Sequence, residues 1–316
     1  MKKNKFIFFA YLFITIIVIF AFFSYYKREF SYVKYYENVK QICYDKKKVD
    51  DEICEAFVEK NGALNQKMLY DYIVDNNPQK IKKQLDVITV SSSIIQITFF
   101  RHMQLFSPLL IIFLITMLFH DEFSSGNFKN YLTRMDYKEY LRKNYLKTIL
   151  ISLITPFSLI LILILSCFLT NFNFNTESVY EYLAVYDKWK YNNFLLYESS
   201  IILIQFFINF LYVNLGLLSI IKNKNKIVSI VMGYIYFLFA YIIIYVGLYA
   251  IILNNIFGFK EMSDFFNISG YWFFNNGPSW LITIPLSMIF AFTSFIILYR
   301  KYTNKERVIL SYEGKI

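Results

Sequence analysis

The feature that most constrains this chain is a series of apolar runs of about twenty residues. At 1.5 Å of helix rise per residue, each is long enough to cross a hydrocarbon layer of ~30 Å. They occupy residues 6–25, 94–119, 147–170, 199–221, 228–253 and 281–299. Lipid offers no hydrogen bonds to the backbone, so each run must satisfy its own peptide groups, and a helix does this. The expectation is an all-α integral membrane protein with six transmembrane helices. Composition agrees: 18% of residues are charged, where a soluble domain carries roughly 25%. Lys2, Lys3 and Lys5 precede the first run, an order also found in secretory signals. The run exceeds the ~7–15-residue core of a signal, and its end carries bulky aromatics where a cleavage site needs small residues. We read residues 1–26 as an uncleaved first transmembrane helix.

The distribution of positive charge sets the expected orientation. Lys and Arg collect at residues 2–5, at 120–147 (Lys129, Arg134, Lys138, Arg142, Lys143, Lys147), at Lys222, Lys224 and Lys226, and beyond residue 300. The two short loops that alternate with these carry only Lys188, Lys190 and Lys260. Positively charged loops resist translocation, so both termini are expected in the cytoplasm. Trp189, Trp272 and Trp280 then fall on the outer side, where amphipathic rings anchor at the interface. The net charge of +10 follows from this asymmetry and calls for no nucleic-acid partner. The expected location is a cell membrane, of bacterial type.

Residues 27–92 form the one strongly polar stretch between spans and read as a small extracellular helical domain. Asp50, Asp51 and Glu52 place negative charge at a helix start, and Gly62 can end that helix. Cys43 and Cys54 both lie here. An outside location permits them to pair as a disulfide, and two free thiols remain the alternative. Residues 93–316 are the five-helix remainder. Within it, Arg101 interrupts the second span near its outer end, where it can snorkel to the interface or line a pathway. Pro108 is expected to bend its helix, and Pro156 lies inside the third run. On the fourth span Gln205 and Asn209 sit four apart, and on the fifth Tyr234, Tyr241, Tyr245 and Tyr249 form a stripe. These neutral groups suit interhelical hydrogen bonding or a substrate path.

The segment following the second span is more than a loop. Phe128, Tyr131, Leu132 and Met135 recur at helical spacing, and Lys129, Asn130 and Arg134 fall opposite. An amphipathic helix lying on the inner surface is expected over residues 121–135. Asp136 and Glu139 then read as a capping pair that starts the next helix. Glu122, Gly126, Leu132, Lys138 and Lys143 resemble a signature of the permease subunits of type-2 ABC exporters. Those subunits carry a Glu and a Gly after the second span, then a short helix and a basic stretch. Asn127 stands where that family has Thr, and Met135-Asp136 where it has a Pro. The plan of six spans with both ends inside is also similar, whereas residues 27–90 have no counterpart in many members.

The resemblance implies a homo- or heterodimer of permeases, each bound to an ABC ATPase subunit that holds ATP and Mg. It makes the inner helix the coupling element, with Glu122, Gly126, Phe128, Tyr131 and Arg134 at the ATPase contact. The residues independently favour an external energy source. Away from helix ends, spans one and three to six show no acid or base of the kind ion-coupled carriers use. No Walker-type phosphate loop is present. Nor is there a Cys/His cluster with metal-ligand spacing, so a metal site is not expected. The chain is therefore read as a non-enzymatic permease without a cofactor of its own, exporting an amphipathic, lipid-like or peptide substrate, with antimicrobial-peptide export or immunity as one setting. The alternative is a membrane sensor or immunity protein that binds a ligand through residues 27–92.

Overall fold

A computed structural model describes residues 5–24, 87–96, 98–124, 136–172, 192–223, 225–259 and 280–302, with a few single positions between. All described secondary structure is helical. We number it α1 (Lys5–Ser24), α2 (Val87–Gln96), α3 (Thr98–Ser124), α4 (Tyr137–Ser152), α5 (Ile154–Leu169), α6 (Phe194–Lys222), α7 (Lys226–Tyr241, continuing as a π-helix over Ile242–Ile256) and α8 (Trp280–Tyr302). Four helices are long and apolar enough to cross a membrane: α1, α6, α7 with its extension, and α8. The bent pair α4–α5 makes a fifth if it is one span. The expected polar domain over 27–86, with Cys43 and Cys54, lies outside the described residues.

The helices group into two units. The first holds residues 1–15, 96–160 and 195–316, and the second holds 16–95 and 161–194. In the second unit Val87, Ile88 and Phe194 are buried against one another, with Leu163 and Cys167 packed at their edge. The α5 helix ends there through two left-handed residues, Asn171 and Phe172 (φ 52° and 57°). The amide of Phe172 donates to the carbonyl of Cys167 at 2.8 Å, which satisfies one of the last carbonyls of the helix.

In the first unit, the crossing of α3, α6 and α7 is dictated by small residues. A Cβ placed on Gly233 would stand 2.7 Å from Ile112 Cγ2 and 3.1 Å from Ser219 Oγ. One placed on Gly216 would overlap Ile115 Cγ2. Helices in lipid associate through close van der Waals contact and hydrogen bonds, because tails and side chains are equally apolar. Glycines bring the backbones near enough for both. Ser219 Oγ donates to the Ser229 carbonyl across the hairpin at 2.7 Å. Between α6 and α7, Asn225 caps the new helix by accepting from the amides of Ile227 (2.9 Å) and Val228 (3.4 Å). Asn225→Ala is expected to cost about 1 kcal/mol, read as a lower midpoint of thermal unfolding in detergent.

The boundaries depart from the sequence reading in three places. Residues 121–124 continue α3 rather than opening the inner amphipathic helix. Asp136 occupies the position before α4, but its side chain makes no capping bond. Glu139 instead pairs with Lys143 at 2.8 Å, one turn along the same exposed face. Third, α6 begins at Phe194, five residues earlier than its apolar run, and takes the buried Glu198 into its second turn. At that depth a carboxylate still lies only about 6 Å from the helix start.

The tyrosine stripe expected on the fifth span forms a ladder along the π-helix. Tyr241 stacks on Tyr245 at 5.5 Å with planes 8° apart, and Tyr245 meets Tyr249 at 5.5 Å. Tyr234 joins through Phe237 (5.7 Å). The end of the π-helix is closed by Gly258 at φ 75°, which lets the amide of Phe259 reach back to the Leu253 carbonyl at 3.0 Å.

Candidate functional site

Charged side chains of the first unit converge where α3 ends and α4 begins. Glu122, in the last turn of α3, is buried (6% exposed). The hydroxyl of Tyr140 donates to its Oε2 at 3.4 Å, and Lys147 Nζ lies 3.8 Å from its Oε1. Both partners are on α4, two turns apart, so a single carboxylate binds that helix to α3. The same ammonium sits over the ring of Phe119 at 5.8 Å, an attractive placement for a cation. Beside this cluster is a cavity of about 30 Å³ bounded by Phe119, Tyr140, Asn144, Tyr145, Thr148, Leu217 and Leu298. That is room for about one water molecule.

A second contact ties α3 to α7. Lys226 Nζ reaches both carboxylate oxygens of Asp121, at 3.1 and 3.2 Å. His120 is buried beside it, with Nδ1 3.8 Å from Asp121 Oδ1. The Asp121–Lys226 pair is largely exposed, and such pairs add little to stability. Asp121→Asn is therefore expected to change the unfolding midpoint by the equivalent of less than about 1 kcal/mol.

The residues assigned to the ATPase contact fare differently. Glu122 is inside the helical unit and engaged by α4, while Arg134 is an exposed turn residue. Gly126, Phe128 and Tyr131 lie outside the described residues, as does the side chain of Arg101. On α6, Gln205 and Asn209 are both fully buried. The Asn209 amide donates to the Ser152 carbonyl at 3.0 Å and also contacts Thr155 Oγ1. Further along, Asn214 Nδ2 donates to Ser294 Oγ of α8 at 2.9 Å. Ser287 of α8 donates back along its own helix to the Ile284 carbonyl at 2.8 Å.

Sequence reasoning missed Tyr140 and Lys147 as the partners of Glu122. They stand eighteen and twenty-five positions away, across a segment with no fixed spacing, so no local pattern could expose them. It also missed the Asp121–Lys226 link, which joins the ends of helices not adjacent in sequence.

Among the described residues no group of three or more His, Cys, Asp or Glu could hold a metal ion. Comparisons with protein-family models, curated proteins and solved structures return no match.

Proposed function

We propose that this chain is the membrane subunit of a transporter driven by a separate ATPase, of the kind found in type-2 ABC exporters. It has six spans, with α3 as the second of them, and both termini in the cytoplasm. The segment that joins α3 to α4 contacts the ATPase, which binds ATP and Mg. A second permease copy or a paralogue completes the assembly, and an amphipathic, lipid-like or peptide substrate is exported through it.

One observation carries this reading. The described helices concentrate their charged contacts at the end of α3, with α4 and α7, and the middle of each described apolar helix holds neutral polar groups only. Ion-driven carriers need a titrating or charged group within the membrane. A bundle organised this way is suited to being moved from one end. Glu122 then has a role different from a surface contact. It passes displacement of the inner segment to α4 through Tyr140 and Lys147, while exposed Arg134 meets the ATPase directly.

Purification of the full chain from its native membrane, followed by mass spectrometry of what accompanies it, tests the proposal. A stoichiometric ATPase whose hydrolysis rises with the permease is the expected result. Arg134→Glu should lower that stimulation and change its dependence on salt, as reversal of a rim charge at an interface does, while leaving membrane insertion intact. A chain that purifies alone and binds a ligand through residues 27–92 would be the sensor instead.

A further inference from the structure

The bend between α4 and α5 has a specific origin. The two helices meet at Leu153 at an angle of 42°. Pro156 has no amide hydrogen, so it cannot bond to the carbonyl four residues earlier, which is that of Ser152. Its ring also crowds that carbonyl and drives the helix apart there. In a membrane a buried, unbonded carbonyl is costly. Asn209 of α6 supplies the missing donor, its Nδ2 lying 3.0 Å from the Ser152 oxygen. The same amide touches Thr155 Oγ1 on the far side of the break, so one side chain spans both halves. A third helix brackets the break from another side. Tyr11 of α1 donates to the Leu150 carbonyl at 2.6 Å and packs its ring on Phe157 at 5.1 Å.

We infer that α4 is a lever that pivots at Leu153, and that the Asn209 amide is the catch holding it in the bent position. The other half of the lever is tied to the end of α3 through Glu122, Tyr140 and Lys147. With sixteen residues, α4 is about 24 Å long, so a swing of about 10° moves its far end by ~4 Å. Releasing the lever breaks one side-chain hydrogen bond, that of Asn209 to the Ser152 carbonyl. A straight helix would have to break several at once. That a motor drives the swing rests on the transport reading; the pivot itself does not.

The test is a distance measurement on the full chain in nanodiscs, without ATPase or nucleotide. Cys43, Cys54 and Cys167 are replaced by Ser, and spin labels are attached at Arg142→Cys on α4 and Ile227→Cys on α7, both exposed positions. Asn209→Leu should broaden the distance distribution roughly twofold relative to the parent, since a buried polar contact of this kind is what fixes helix geometry in lipid. Pro156→Ala restores the amide that Ser152 lacks and should narrow it. In the Pro156→Ala background, Asn209→Leu should then have little further effect, because the catch has no free carbonyl to hold. Asn209→Ser, which keeps polarity but is too short to reach, should behave like Asn209→Leu and covers the case in which Leu impairs folding. Broadening of equal size in both backgrounds, or no broadening when Pro156 is present, overturns the inference. A missing ATPase would remove the motor and leave this outcome unchanged.

Discussion

Gly233→Leu is expected to be among the most damaging single substitutions in the described part of the chain, costing on the order of 3 kcal/mol. The added side chain would enter the place where α3, α6 and α7 approach one another most closely. Its Cβ alone would meet Ile112 Cγ2 at 2.7 Å and lie 3.6 Å from the Cα of Gly216. Ile112 cannot swing aside easily, because it is buried and a β-branched side chain in a helix has one favoured rotamer. The helices must separate, and with them goes the bond from Ser219 to the Ser229 carbonyl. Thermal unfolding in detergent reads the loss. Gly247→Ala is the internal control: the only atom within 4 Å of a Cβ there is the Ile242 carbonyl oxygen, at 4.0 Å. Its effect should stay within about 0.5 kcal/mol. Equal effects at the two glycines would mean that the crossing is not closely packed.

Lys147→Met should cost about 2–3 kcal/mol, the usual penalty for stranding a buried polar or charged group. The ammonium is 26% exposed while Glu122 is nearly enclosed. The loss therefore falls on the carboxylate, the enclosed member of the pair. Glu122→Gln should cost less, since the remaining lysine can turn its head toward solvent. The double substitution Glu122→Gln with Lys147→Met should recover part of the stability lost in Lys147→Met alone. Such recovery separates an ion pair from two independent packing effects. If the single and double variants unfold at additive midpoints, the two groups are not coupled and α4 is not held to α3 by this contact. Under the transport proposal, either single variant should also reduce ATPase stimulation.

The α-helical class of the chain and most of its helix positions were legible in the linear sequence. An apolar run near twenty residues has few other solutions in lipid, and the runs at 6–25, 199–221, 228–253 and 281–299 each became a helix of similar extent. The Tyr241–Tyr249 stripe was legible for the same reason, since four-residue spacing places rings on one face whether the helix is α or π. Ends were read less well. A start such as Asp136 depends on one rotamer, and that side chain left its capping position unused. Glu198, just before the run at 199–221, is inside α6, because a charge that ends an apolar run does not by itself end a helix.

What the linear order determined, then, is where helices form, since each run satisfies its own backbone and needs no partner to do so. Only the tertiary structure decided which polar groups meet. The pairing of Glu122 with Lys147, the seating of Gly233 on Ile112, and the reach of Asn209 to a carbonyl freed by Pro156 all join residues far apart in the chain. Their contacts depend on how helices lie beside one another, and hydrophobic burial, which placed the helices, carries no directional information about that.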